Sequence, residues 1–475
     1  MVKVKGKVLL IVHDVYQEDN VFPLGIGYLA AVLKREGVDV TVYCQDVFHY
    51  PNNHLAKLLQ ANDYDLIGVG FLSPRFKETV LPLCQVINEN KKDAWLVLGG
   101  HGTSPIPEYM LRKTKADVVA IGEAEDTIVE LIRCKVDRAD LSGVKGIAYW
   151  QSDEVIVNQR RQPIRDLDSI PSIPWDLFPM GKYLTCSLRP GQDKADRNLA
   201  IITSRGCIGH CSFCYRMEKG IRLRSIENVV EEMKFLNSKY GVTYFDIIDE
   251  LFLLKKARLF EFEDTLRKNN LKIKFLCAAR VDMFDKEIAE CLKRIGCQFL
   301  AVGFESVSQQ VLNRMHKRTT VEQNFNLAEI CTEVGLTMGL NFIWGNIYDT
   351  EESLKGIVSF LEKYNTYEQI RTLRPPTPYP GSPLYHDAIE MGLLKDAEDF
   401  FEKAKNSDLL TVNFTDIPEE EFYKLLFEAN KELVIDHFEH TTGDMKEAKR
   451  LINGFYDLYF RKKYDFRGAR HYGRV

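Results

Sequence analysis

Short, continuously apolar runs that alternate with amphipathic segments constrain this chain more than any other feature. In the first ~140 residues such runs fall at 7–12, 38–43, 66–71, 94–100 and 118–122. Apolar residue after apolar residue suits strands covered on both faces, and hence a parallel sheet. Helical periodicity fills the gaps at 25–36, 53–59, 79–90 and 126–134. The pattern predicts a doubly wound (Rossmann-like) α/β domain whose ligand lies beyond the carboxyl ends of its strands. Those ends carry His13-Asp14, Phe71-Leu72-Ser73-Pro74, Gly99-Gly100-His101-Gly102-Thr103-Ser104 and Gly122-Glu123-Ala124-Glu125. Glycine admits a close ligand, although a tight turn is the commoner reason for it. Neither G-x-G-x-x-G nor a P-loop is present, so no nucleotide phosphate site is indicated.

Between 141 and 195 the pattern loosens. A strand is expected at 143–150, followed by an ordered linker punctuated by Pro163, Pro171, Pro174, Pro179 and Pro190. A second series then begins, with strands expected at 199–203, 244–249, 273–278, 299–304, 338–342 and 370–373 and helices between them. Six β/α units in a row predict a partial (β/α)6 TIM-like barrel. The division expected is 1–140, linker 141–195, barrel 196–394 and a helical region 395–475. That last region is rich in Phe, Tyr and Leu and ends on a basic tail of Arg461, Lys462, Lys463, Arg467, Arg470 and Arg474. A solvated tail is the ordinary reading; a phosphate or membrane-surface contact is the alternative.

The chemistry concentrates just after the first barrel strand. Cys207, Cys211 and Cys214 stand in a C-x3-C-x2-C spacing, with Phe213 before the last. Three thiolates on one loop can hold a [4Fe–4S] cluster, which normally takes four cysteines, and so leave one iron open. A zinc knuckle completed by His210 is the competing reading, but His210 directly precedes Cys211 and the two would struggle to occupy separate corners of a tetrahedron. The other eight of the eleven cysteines are scattered, as small buried hydrophobes of a reducing compartment are. Polar residues at the barrel's strand ends converge on the same face: Asp249, Glu250, Arg280, Glu305, Ser306 and Asn341. A net charge of −5 gives no case for nucleic-acid binding. No apolar run reaches the ~18 residues of a membrane span and no signal peptide is evident, so a cytoplasmic protein is expected.

Cys207, Cys211, Phe213 and Cys214 resemble the radical S-adenosylmethionine (SAM) signature. Thr203-Ser204-Arg205-Gly206, Ala278-Ala279-Arg280-Val281-Asp282, Val302-Gly303-Phe304-Glu305-Ser306 and Thr377-Pro378-Tyr379-Pro380-Gly381-Ser382 fit the branch with an N-terminal cobalamin-binding domain. In the first domain residues 23–30, 99–103 and 122–125 are similar to it too. Relatives in that branch include the anaerobic magnesium-protoporphyrin ester cyclase and cobalamin-dependent methylases. The resemblance covers residues 7 to 390. It implies an oxygen-sensitive enzyme with three cofactors: a [4Fe–4S] cluster on Cys207, Cys211 and Cys214, SAM, and cobalamin. It implies SAM contacts at Asp249, Glu250, Arg280 and Glu305, with Phe213 or Tyr215 by the adenine. Cobalamin contacts are expected at Ser73, Gly100, His101, Gly102, Thr103, Gly122 and Glu123.

The implied reaction is methylation of an unactivated carbon of a small-molecule or lipid-like substrate. A ring-forming cyclase is the runner-up, and a cobalamin- or redox-sensing protein is the non-catalytic alternative. Methylthiolation of tRNA is disfavoured, since Cys44, Cys84 and Cys134 lack the context of that group's extra cysteines. An electron donor such as flavodoxin or ferredoxin is implied as partner. Two departures stand out. The cobalamin motif D-x-H-x-x-G is absent. Phe342-Ile343-Trp344-Gly345-Asn346 stands where relatives usually show Gly-x-Pro-Gly-Glu-Thr, which makes Trp344 a candidate for substrate selection, together with C-terminal helices folded over the barrel mouth.

Overall fold

The computed structural model describes residues 4–15, 21–72, 76–184, 189–403 and 412–461. The first sheet has seven strands in the order β2-β1-β3-β4-β5-β6-β7. They are β1 (Lys7–Val12), β2 (Asp39–Cys44), β3 (Leu66–Gly70), β4 (Trp95–Gly99), β5 (Val118–Ala120), β6 (Ile147–Gln151) and β7 (Glu154–Val157). The first five are parallel, as their apolar runs predict. Side chains alternate across the sheet: Val8 and Leu10 join one apolar cluster, Leu9 and Ile11 the other. The helices Leu24–Arg35 and Glu125–Asp137 cover the first face; Asn52–Ala61, Leu81–Asn90 and Pro107–Thr114 cover the second. The strand expected at 143–150 does not stand in a linker. It pairs as β6, antiparallel, with β5 and makes a hairpin with β7 that extends this sheet.

The second sheet is an arc of five parallel strands, β8 (Asn198–Ile201), β11 (Tyr244–Ile247), β12 (Lys274–Ala279), β13 (Cys297–Glu305) and β14 (Met338–Phe342), each beside its successor. Between β8 and β11 lies a separate two-stranded ribbon, β9 (Ser204–Cys207) and β10 (Gly220–Leu223). Helices follow the strands at Ile226–Tyr240, Lys256–Lys268, Lys286–Arg294, Val321–Val334 and Glu351–Tyr364. Ser225, Asp285, Thr320 and Thr350 cap four of them, the last two in reciprocal capping boxes.

The sixth expected strand, 370–373, is not formed. A single bridge between Ile343 and Arg374 remains. The reason lies in the helix Glu419–His440, whose Asn430 takes a strand's place: its Oδ1 accepts from Leu373 N at 2.7 Å and its Nδ2 donates to Leu373 O at 3.1 Å. This helix therefore closes the open edge of the arc rather than covering its mouth. Phe422 at its start stacks on Trp344 with centroids 4.7 Å apart. Trp344 has no exposed surface and donates to Thr350 O at 3.0 Å, so it is an edge-sealing core residue and cannot select a substrate.

The chain between the arc and that helix returns to the first sheet. Leu384, Tyr385, Phe400 and Phe401 join the apolar cluster of Leu9 and Ile11. Glu398 accepts from Lys77, Tyr109 and Lys113 at 2.8–2.9 Å. The boundary expected at 394 thus falls inside one continuous packed stretch. Of the basic tail only Arg461 is among the described residues, and it pairs with Asp457 at 3.1 Å. None of the described helices is long and apolar enough to cross a membrane.

Replacing Asn430 by Ala strands the buried N–H and C=O of Leu373. The expected loss is about 2–4 kcal/mol, at ~1–3 kcal/mol per unsatisfied buried group, read from the midpoint of chemical denaturation.

Candidate active site

The cysteine loop is the tip of the β9–β10 ribbon. Cys207 faces Gly220, and Arg205 faces Arg222 across the ladder. Gly206 sits at φ +87°, and a Cβ there would lie 2.3 Å from Gly220 O, so the close ribbon requires glycine. Asp249, at the end of β11, straps the ribbon to the arc. It accepts from Thr203 N at 2.6 Å and from Ser204 Oγ at 2.9 Å, with Thr203 Oγ1 also bound. Asp249 is buried and both its oxygens accept hydrogen bonds, so it positions the cysteine strand.

At the tip the sulfurs close on bare backbone. A Cβ on Gly209 would stand 3.3 Å from Cys207 Sγ, 3.8 Å from Cys211 Sγ and 3.2 Å from Arg280 Nη1. The loop is held from outside at several points. Arg216 Nη1 donates to Gly209 O at 2.7 Å, Ser212 N to Met315 O at 2.8 Å, and Leu384 N to Ser212 O at 2.9 Å. Burial raises the Cys211 thiol and pushes Cys214 up to about 12, while the Lys317 charge pulls both down. Cys214 touches solvent, yet it is ringed by protein, which is why desolvation dominates its thiol. Among the described residues no three His, Cys, Asp or Glu side chains converge on a single-ion site, as zinc would require. Thiolates that bind separate irons of a four-iron cluster need no such convergence, so the donor set fits the cluster.

Two strand ends supply charge. Glu305 sits at φ +65° where the β13–β14 register shifts, and its Oε1 accepts from Lys317 Nζ at 2.7 Å. Arg280 forks onto Asp282 at 2.9 and 3.0 Å and donates to Lys317 O at 3.0 Å. A Cβ on Gly303 would lie 2.3 Å from Glu305 Oε1 and 2.9 Å from Lys317 Nζ, so glycine leaves room for this pair. Lys317 is 5% exposed, and in sequence it looks like part of a solvated basic run, Met315-His316-Lys317-Arg318. Positive φ at His316 and Arg318 turns those two outward and Lys317 inward, which no sequence pattern reveals. Glu250 keeps an open carboxyl, raised by its surroundings against the pull of Arg216.

The aromatic pair is anchored by packing. Phe213 rests against the apolar cluster on the second face of the first sheet. Tyr215 meets His101 edge-on at 6.2 Å and abuts Gly381, where a Cβ would be 2.8 Å from its ring.

The strand ends of the first sheet also differ in part from expectation. Ser73 lies outside the described residues. Gly100 and Gly102 are glycines because the backbone after β3 crosses them: added Cβ atoms would meet Phe71 O at 2.5 Å and Leu72 O at 2.0 Å. Thr103 is wholly buried and its Oγ1 donates to Gly100 O at 3.1 Å. Gly122 sits at φ +84° and donates its N–H to Ser104 Oγ at 3.1 Å. His101 remains exposed.

Glu123 is fully engaged elsewhere. It accepts from Arg222 at 2.8 Å through both oxygens, from Arg205 at 3.2 Å and from Ile164 N at 2.9 Å. Glu125 accepts from Arg205 at 2.5 Å, and that guanidinium lies 5.2 Å over the Tyr28 ring. The two carboxylates after β5 thus grip both strands of the cysteine ribbon.

Comparison with known proteins bears on this arrangement directly. The Radical SAM superfamily profile matches residues 201–361, and the B12 binding domain profile matches residues 15–132. An uncharacterized methyltransferase of Pyrococcus horikoshii is 30% identical over 379 residues, 78% of this chain and 79% of that protein. The chain belongs to the radical SAM superfamily. It is 26% identical over 384 residues to an anaerobic magnesium-protoporphyrin IX monomethyl ester cyclase of Rubrivivax gelatinosus, 77% of this chain and 66% of that one. Among solved structures, the cobalamin-dependent SAM radical enzyme OxsB superposes with a TM-score of 0.69 at 18% identity, covering 96% of this chain and 75% of that one, and so shares the fold. Radical SAM chemistry brings a [4Fe–4S] cluster and SAM, and the B12 domain brings cobalamin.

Burial raises the Glu123 carboxyl, but Arg222 and Arg205 more than offset it, so its folded value lies below the ordinary 4.5. Its contribution to stability is therefore full above that ordinary value and is lost as the pH falls through the lower one. In Glu123→Gln we expect a loss of about 3–5 kcal/mol near neutral pH, since two buried guanidinium groups lose a partner. Urea melts taken across pH should show a shallower acid limb than the wild type's.

Proposed function

We propose that this chain is a cobalamin-dependent radical SAM methyltransferase acting on an unactivated carbon of a small-molecule or lipid-like substrate. The convergence of Cys207 and Cys211 with Arg280 around Gly209, on a loop that offers only one further cysteine, carries the proposal. When bound, the cofactors supply an electron to cleave SAM into methionine and a 5′-deoxyadenosyl radical, and a cobalt carrier for the methyl group.

The chain's own residues do the rest. Cys207, Cys211 and Cys214 would hold the cluster through three of its irons, and with no fourth cysteine on the loop one iron would be open to SAM. Lys317 and Arg280 place two cations beside the thiolates, which favours the ionised ligands and an incoming carboxylate. Glu305 takes up the Lys317 ammonium until a ligand competes for it, and offers its carboxylate to the SAM amine. Glu250 stands open at the same mouth. Residues up to about 140 would form the cobalamin unit, with His101 and the turn Gly100–Thr103 at the carboxyl end of β4. Tyr215, on the cysteine loop, meets His101 edge-on, which brings the two loops that would hold SAM and cobalamin together. The reductant is an external one-electron carrier of the flavodoxin or ferredoxin kind.

A ring-forming cyclase is the second reading, favoured by the likeness to the Rubrivivax enzyme. Products separate the two. Anaerobic enzyme supplied with iron, sulfide, cobalamin, SAM and a reductant should yield 5′-deoxyadenosine together with S-adenosylhomocysteine. 5′-Deoxyadenosine alone would favour the cyclase, and neither product would overturn both. Cys211→Ala should lose iron and 5′-deoxyadenosine together. Lys317→Met should keep its iron but bind SAM at least about tenfold more weakly, from the ~1.5–3 kcal/mol of a charge-assisted hydrogen bond, as titrated calorimetrically.

A further inference from the structure

The side of the cysteine loop that faces solvent carries a basic rim that catalysis does not use. Two loops form it, joined by the hydrogen bond from Ser212 N to Met315 O at 2.8 Å. From the first come His210, Arg216 and Lys219; from the second, His316 and Arg318. His210, Lys219, His316 and Arg318 are exposed. None of these four has an ion-pair partner among the described residues, while the nearby acids are spoken for: Glu218 pairs with Arg160 at 3.2 Å and Asp387 with Arg314 at 2.8 Å. Ile208, an exposed apolar side chain, lies within the rim. An apolar centre inside a charged rim is the anatomy of a transient protein interface. The patch also opposes the chain's net charge of −5, so it is a local feature.

We infer that this rim is the docking surface for an acidic one-electron carrier protein. The inference rests on the radical SAM reading, which requires an electron from outside for each SAM cleaved. His210 is the neighbour of Cys211, and only Ile208 and Gly209 separate it from Cys207, so a partner seated here stands close to the cluster loop. The carrier gives up one electron, the cluster accepts it, and no atom or proton is exchanged. Complementary charge steers the encounter and weakens with salt. Backbone at positive φ holds His316 and Arg318 outward at fixed positions.

The test uses anaerobically reconstituted enzyme and fully reduced flavodoxin as the probe, with 5′-deoxyadenosine as readout and dithionite as the alternative reductant. Lys219→Glu with Arg318→Glu should raise the half-saturating flavodoxin concentration about tenfold, the ~1.4 kcal/mol of a few lost rim charges. The variant should also lose the salt dependence, with iron content and the dithionite-driven rate unchanged. Lys446→Glu with Lys449→Glu, on the helix Met445–Tyr456, should leave both rates alone. Unaltered flavodoxin dependence in the first variant overturns the inference, and so does an equal loss in the second. A parallel loss under dithionite overturns it as well, because the cations would then serve the loop itself. Wild-type enzyme that makes no 5′-deoxyadenosine even with dithionite would sink the radical SAM reading first and this inference with it.

Discussion

The grip of Glu123 and Glu125 on Arg205 and Arg222 is the constraint on which the rest depends. Four charges are taken largely out of water at the joint between the two sheets. Such burial costs several kcal/mol per ion and is recovered only by close, multiply bonded geometry. Glu123 meets that demand with both oxygens on one guanidinium and a backbone N–H besides. The consequence is mechanical. The turn after β5 and the ribbon carrying Cys207 cannot shift apart without leaving bare charges, so the cysteine loop is held in register with the first sheet. Phe213, Tyr215 and the returning stretch around Leu384 fasten the same loop from its other side.

Rigidity at the joint leaves strain and charge for the site itself. Glu305, His316 and Arg318 all occupy the left-handed region, a conformation that non-glycine residues keep only where surroundings impose it. Here the imposed result is useful: Lys317 is driven inward to Glu305 and the thiols, while its two neighbours face solvent. One short stretch thereby supplies a buried cation to the site and exposed cations to the rim.

The alternation of apolar runs made both sheets legible, because strands buried on two faces have no other sequence appearance. The C-x3-C-x2-C spacing made the cysteine loop legible, because ligand spacing on one loop is a local property. Long-range substitution was not legible. Residues 370–373 have a strand's composition, but Asn430, nearly sixty residues later, supplies the ladder bonds. Asp249 and Glu123 read as ligand contacts because strand-end carboxylates usually face a site; their partners lie on another element. Gly100 and Gly102 had the look of a ligand cradle; a second reason for glycine, the crossing of two backbones, shows only in the fold. Trp344, in an unusual turn, suggested specificity, and only the arrival of Phe422 shows it sealed. Lys317 went unnoticed because its inward turn depends on backbone angles that residue types do not encode.

The central claim is that three cysteines hold a four-iron cluster whose fourth iron is open to SAM. Electron paramagnetic resonance of the reduced, reconstituted enzyme tests it most directly, recorded with and without SAM. The account predicts a [4Fe–4S]+ signal whose g values move when SAM is added, with the Lys317→Met variant needing more SAM to show the change. A signal indifferent to saturating SAM, or iron and sulfide contents that match no four-iron cluster, would contradict it.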